Sequence, residues 1–129
     1  MKTEFNEFLS KIRKDSNESL RMMAKRLNIS ATFLSAMELG KRLIPLDYIV
    51  IISNCYELSN EDIKTLEDSI YKTNNKVTID FENMSDEKKN VSLLFARTIK
   101  DIDENLVEKL MLELEKYENK DKSIIKKRN

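Results

Sequence analysis

The stretch SLRMMAKRLNISATFLSAMELGKR, from Ser19 to Arg42, leaves few folds open to this chain. It holds two short segments with helical apolar spacing, separated only by Asn28, Ile29 and Ser30. Met23, Ala24 and Leu27 would form the buried side of the first, and Phe33, Leu34 and Met37 that of the second. A lone amphipathic helix would gain from continuing, so a break at this point sets an angle between two helices. Ser19 and Ser30 are N-cap residues, able to accept hydrogen bonds from a helix's first turn. Asn28 tolerates the left-handed conformation that ends a helix sharply, and Gly40 closes the second segment. With small Ala24 at the close approach, the pair reads as a helix-turn-helix, whose second helix can enter the DNA major groove.

Other helices surround this pair. Phe5, Phe8, Leu9 and Ile12 are spaced i, i+3, i+4, i+7 and predict a helix over 4–14, and the turn formers DSNE follow. Pro45 precedes an apolar fourth helix in PLDYIVIISNCYEL. Ser59 opens a capping-box-like SNEDIKTLEDSIYK with Ile63, Leu66 and Ile70 on one face. The fold class is thus mainly α, with a five-helix domain over residues 1–72.

Beyond it, YKTNNK is a polar linker, and KVTIDF alternates Val77, Ile79 and Phe81 with polar neighbours. That alternation predicts a short strand, which cannot stand alone and must pair with a second copy or lie on the domain. Ser85 precedes a helix carrying Val91, Leu94, Phe95 and Ile99. Asp103 caps a last one carrying Val107, Leu110, Leu114 and Tyr117 in a 3-4-3 spacing like a coiled-coil seam. Residues 73–117 therefore read as linker, strand and helical dimerisation region, and 118–129 as a charged flexible tail. The expected homodimer interface comprises Val77, Ile79, Phe81, Val107, Leu110, Leu114 and Tyr117. Two-fold pairing there would set two recognition helices about 34 Å apart, one DNA turn.

Composition narrows the function classes. One Gly and one Pro leave little material for an all-β fold with tight turns. There is no His, and Cys55 is the only cysteine, so neither a disulfide within the chain nor a His/Cys metal site is expected. No cofactor is called for. The carboxylate pairs Glu61/Asp62 and Asp101/Asp103 read as helix caps and solvated faces, and with no nucleophile–base pair or phosphate loop the chain does not read as an enzyme. MKTEFNEFLS lacks the apolar run of a signal peptide, and no stretch approaches the roughly 20 apolar residues of a membrane span. A cytoplasmic protein with no membrane partner is expected. The formal charge is zero but unevenly spread. Residues 1–45 carry nine Lys/Arg against five Asp/Glu, and residues 46–85 carry three against eight. Basic charge thus accompanies the helix pair, where a short face would meet phosphate.

A set of residues in one register carries a resemblance: Leu9, Arg13, Ser19, Ala24, Leu27, Ile29, Ser30, Leu34, Met37, Glu38, Gly40 and Lys41. In this register residues 5–70 resemble the DNA-binding domain of the xenobiotic-response-element (XRE) family, the lambda-repressor-like transcriptional regulators. The resemblance covers about half of the chain. It implies a sequence-specific regulator, a repressor by the family's habit, that binds double-stranded DNA as a homodimer. It also implies that the start of the third helix faces bases, through Ser30, Ala31, Thr32, Phe33, Ser35 and Ala36. For Phe33 a place in the core is an equal reading. Phosphate contacts map to Ser19, Arg21, Lys41 and Arg42, and a structural ion pair to Arg13 and Glu38. The chain departs from the pattern at Glu18, Leu20, Asn28 and Leu39. The groove-facing set also lacks Arg, Asn and Gln, which make bidentate base contacts. Thymine-methyl contacts and DNA shape would then carry specificity. The alternative is a protein-binding helix-turn-helix module, such as a phage-type inhibitor or antitoxin, using Phe33 and Leu39 on an unknown protein partner.

Overall fold

The structure, a computed structural model, describes residues 2–118. The charged tail expected over 118–129 lies, beyond Glu118, outside them. The described chain is mainly helical: α1 (Glu4–Ser16), α2 (Leu20–Arg26), α3 (Ala31–Glu38), α4 (Asp47–Cys55), α5 (Asn60–Asn74), α6 (Asp86–Thr98) and α7 (Glu104–Glu115). It divides into two compact units, residues 2–77 and 78–118. The first boundary falls a few residues later than the sequence places it, because α5 runs on to Asn74.

In the first unit, α1 packs on α5, α2 on α3 and α4 on α5. The core takes Phe5 and Leu9 from α1, Met23, Ala24 and Leu27 from α2 and its end, and Leu34 and Met37 from α3. Ile44, Ile49, Ile52, Ile63, Leu66 and Ile70 complete it. Each helix thus contributes one stripe, as an amphipathic helix must when packing supplies most of its stability.

A chain with one glycine still ends five helices sharply. Asn17, Asn28, Gly40, Glu57 and Asn75 follow α1 to α5 in turn, all with φ between 50° and 73°. After each, the next residue's N–H reaches five residues back: Glu18 to Arg13, Ile29 to Ala24, Lys41 to Ala36, Leu58 to Ser53 and Lys76 to Tyr71. This bond from one residue past the left-handed position satisfies a carbonyl the helix would otherwise leave open. Asparagine takes the left-handed role at three of the five ends, because its short polar side chain tolerates it. Glu57 has no such advantage. Glu57→Gly is therefore expected to stabilise the unit by roughly 0.5–1 kcal/mol, the relieved strain less glycine's extra freedom when unfolded. Urea midpoints would show it, and an unchanged or lowered midpoint would contradict it.

In the second unit, Ser85 and Asp103 cap α6 and α7, accepting from the N–H groups of Lys88 at 3.2 Å and Leu106 at 2.9 Å. No residue of α6 or α7 is buried. The strand expected at Val77, Ile79 and Phe81 is not formed, and among the described residues there is no strand at all. The alternating pattern is present, but a ladder needs a partner and none lies alongside. Val77 and Ile79 stand exposed and Phe81 is half-buried, and the chain turns at Asn83 with a φ of 64°. Tyr117 falls just past the end of α7, so the apolar stripe runs beyond the helix expected to carry it.

Candidate nucleic-acid interface

Two serines start the helices that matter here. Ser19 Oγ accepts from the Met22 N–H at 3.1 Å, and Ser30 Oγ accepts from the Phe33 N–H at 3.0 Å. Both hydroxyls keep their own proton to donate, but their geometry is fixed by the cap. Between the helices, Asn28 with φ 62° reverses the chain. Ile29 is half-buried there, packed against the core. Met23, Ala24, Leu34 and Met37 hold the two helices together through the core.

This local design turns the first turn of α3 outward. Thr32 and Ser30 are exposed, while Ala31, Ser35 and Ala36 are half-buried. Arg21, Lys25, Asn28, Ser30 and Ala31 line one concavity, with Met22 and Ile29 beside them. The structure thus brings Arg21 of the expected phosphate set beside Ser30 and Ala31 of the expected base-facing set. Lys25 joins them without having been expected from the sequence. Its signal was available, since it lies one helical turn after Arg21 and so on the same face.

Past α3, Gly40 takes φ 73° and the Lys41 N–H returns to Ala36, which fixes the backbone of the loop carrying Lys41 and Arg42. A Cβ at residue 40 would meet Thr3 at only 3.5 Å, an ordinary contact, so conformation and not crowding selects glycine here. Ile44 is then clasped from both sides by the Asn74 amide. Its N–H donates to Asn74 Oδ1 at 2.9 Å, and its carbonyl accepts from Asn74 Nδ2 at 3.0 Å. Arg21, Lys25, Lys41 and Arg42 are all exposed, and among the described residues none forms an ion pair.

Phe33 occupies neither extreme that its sequence position allows. It is half-buried, packed on the core, with its ring 6.3 Å from that of Tyr48. Arg42 lies over the Phe33 ring at 4.8 Å. The ring thus faces Tyr48 and the Arg42 guanidinium, whereas Thr32 is exposed.

Arg13 and Glu38 meet as a bidentate pair. Arg13 Nη1 donates to Glu38 Oε2 at 2.7 Å and Nη2 to Oε1 at 2.9 Å, with side chains only 10% and 2% exposed. Asn6 Nδ2 donates to Oε1 at 2.7 Å, and the Thr3 hydroxyl donates to the Glu38 carbonyl. The end of α3 is therefore tied to α1 through both the carboxylate and the carbonyl of Glu38.

Glu18 has its own network. Tyr56 donates to Glu18 Oε1 at 2.7 Å and Arg26 Nε approaches Oε2 at 3.3 Å, with the Arg26 guanidinium 4.8 Å from the centre of the Tyr56 ring. Burial first, and then the bond to this carboxylate, hold the Tyr56 phenol well above its ordinary pKa. Arg26 thereby joins Glu18 to Tyr56 at the end of α4, with 46% of its own side chain still exposed. Burial likewise raises the thiol of Cys55.

Of the expected interface between subunits, Val77, Ile79, Leu114 and Tyr117 are exposed, and Phe81, Val107 and Leu110 are half-buried. Val91, Leu94, Phe95 and Ile99 of α6 and its end are exposed as well. Among the described residues no cluster of His, Cys, Asp or Glu could hold a metal ion, and no helix is long and apolar enough to cross a membrane. Compared with family models, with curated proteins and with solved structures, the chain matches none.

Proposed function

We propose that this protein is a sequence-specific DNA-binding transcriptional regulator, a repressor of the lambda-repressor-like XRE type, acting in the cytoplasm as a homodimer without cofactor or catalytic activity. In this reading the first unit is a five-helix domain whose α2 and α3 form the helix-turn-helix. The observation that carries it is the open first turn of α3, flanked by four exposed cations that no carboxylate among the described residues neutralises. Ser30, Ala31, Thr32, Ser35 and Ala36 would face bases, with thymine-methyl contacts from Ala31 and from the Thr32 methyl. Arg21, Lys25, Lys41 and Arg42, with the Ser19 hydroxyl, would hold phosphates and set the register without reading sequence. Selection of bound fragments from random duplexes tests it. A recovered two-fold site with half-sites one helical turn apart is expected, and recovery of no sequence preference would contradict it.

The homodimer belongs to the same proposal. No residue of α6 or α7 is fully buried, and isolated helices of about this length are marginal in water, so a partner surface would stabilise the pair. Val107, Leu110, Leu114 and Tyr117, joined by Val91, Leu94 and Phe95, supply apolar stripes for a second copy. Light scattering at tens of micromolar protein is expected to give twice the chain mass of 15.2 kDa. Leu110→Lys with Leu114→Lys is expected to return it to the chain mass, and a monomeric unmutated protein would contradict the dimer.

A protein-binding module is the second reading, favoured by one observation. Leu39 and Leu43 stand 47% and 55% exposed on either side of Lys41 and Arg42, where a purely phosphate-binding loop gains nothing from them. Duplex binding that is detectable and salt-sensitive separates the two.

A further inference from the structure

Arg42 sits in the loop after α3, where a long cationic side chain would ordinarily sample many rotamers. Its guanidinium instead lies 4.8 Å from the centre of the Phe33 ring. The ring is itself held, half-buried against the core and inclined at 52° to Tyr48 in the first turn of α4. A guanidinium on an aromatic face is attracted by the ring's quadrupole while its N–H donors stay in its own plane, free for an anion. Among the described residues no carboxylate takes them. Lys41, one residue earlier, has no ring contact and keeps a flexible stem.

We infer that Phe33 is a positioning residue: backed by Tyr48, its ring holds the Arg42 guanidinium ready for one phosphate of the duplex backbone and reads no base itself. The inference rests on the DNA-binding proposal above and deepens it. Pre-ordering matters because an arginine held in place loses less side-chain freedom when the phosphate arrives. Phe33 then contributes affinity without contributing sequence preference, the reverse of what its place in the first turn of α3 implies.

The test has two arms on the full chain. In the free protein, proton resonances of the Arg42 side chain are expected upfield of their usual positions through the ring current of Phe33. The shift should vanish in Phe33→Leu and persist in Phe33→Tyr. On duplex DNA, Phe33→Leu is expected to weaken specific and scrambled binding alike by about two- to fivefold per subunit, the scale of an exposed cation–π interaction. It should also lower the slope of log affinity against log salt by up to about 0.9 for each phosphate that Arg42 ceases to neutralise. Phe33→Tyr should retain both. With Arg42→Ala already present, Phe33→Leu should change neither affinity nor slope. Weaker binding from Phe33→Leu in that background, or weakening confined to the specific duplex, would overturn the inference. So would an unshifted Arg42. If the unmutated protein bound no duplex at low salt, the DNA reading and the phosphate role would fall together. The resonance arm would then still report whether the ring holds the guanidinium.

Discussion

Glu38→Ala is expected to destabilise the protein by about 3–5 kcal/mol, the largest effect expected of any single polar substitution in the chain. The reason is what remains. Arg13 would keep only the Ser10 hydroxyl at 3.2 Å and the Met23 sulfur at 3.3 Å, neither of which balances its charge. With 10% of its side chain exposed, water cannot replace the carboxylate. Asn6 would be deprived of its acceptor as well. Arg13→Ala strands the opposite charge and is expected to cost a similar amount. Removing both charges together, as Arg13→Met with Glu38→Leu, should be less damaging than the worse single change, because neither charge is then left unpaired. Urea unfolding of the unmutated protein, the two alanine variants and this double variant measures the difference. A Glu38→Ala effect below about 1 kcal/mol would mean that the pair behaves as a solvated surface bridge.

In the DNA-binding reading the pair would also bear on the site. Glu38 is the last residue of α3, and Thr3 and Asn6 tie it to the start of α1. Gly40, Lys41 and Arg42 follow almost directly. Loosening the end of α3 would therefore loosen the anchor of the loop that carries both cations.

Much of this was legible in the sequence because it is local. The caps at Ser19, Ser30, Ser59, Ser85 and Asp103 involve partners three residues away, and the core stripes of α1, α2 and α5 repeat within a few turns. Helix lengths were less so. The turn expected from Asp15 comes two residues late, and the fourth helix stops at Cys55 because Glu57 takes a left-handed conformation that nothing in its side chain advertises. What joins distant segments was hidden. Tyr56 and Glu18 are 38 residues apart, and Asn74 and Ile44 are 30 apart. Arg13 and Glu38, 25 residues apart, were expected to meet only through the family resemblance. Phe33 reads as core by its spacing and as groove-facing by the family resemblance, and only the positions of Tyr48 and Arg42 decide what its ring touches. The strand at Val77, Ile79 and Phe81 was a sound local pattern without the partner that turns a pattern into a ladder.

The most direct test of DNA reading by α3 is fluorescence anisotropy of Thr32→Ala and Lys41→Ala on the selected duplex and a scrambled one, across several salt concentrations. Thr32 is exposed in the first turn of α3, whereas Lys41 lies beyond the helix, where in the DNA-binding reading its charge would meet only backbone. Thr32→Ala should weaken the specific complex and leave the scrambled one nearly unchanged, with the salt slope intact. Lys41→Ala should weaken both alike and reduce the slope by about 0.9 for each phosphate no longer neutralised, so by about 1.8 in a two-fold dimer. Identical profiles for the two variants on both duplexes would contradict the division between base reading and phosphate holding. Absence of binding by the unmutated protein at low salt would contradict DNA binding altogether.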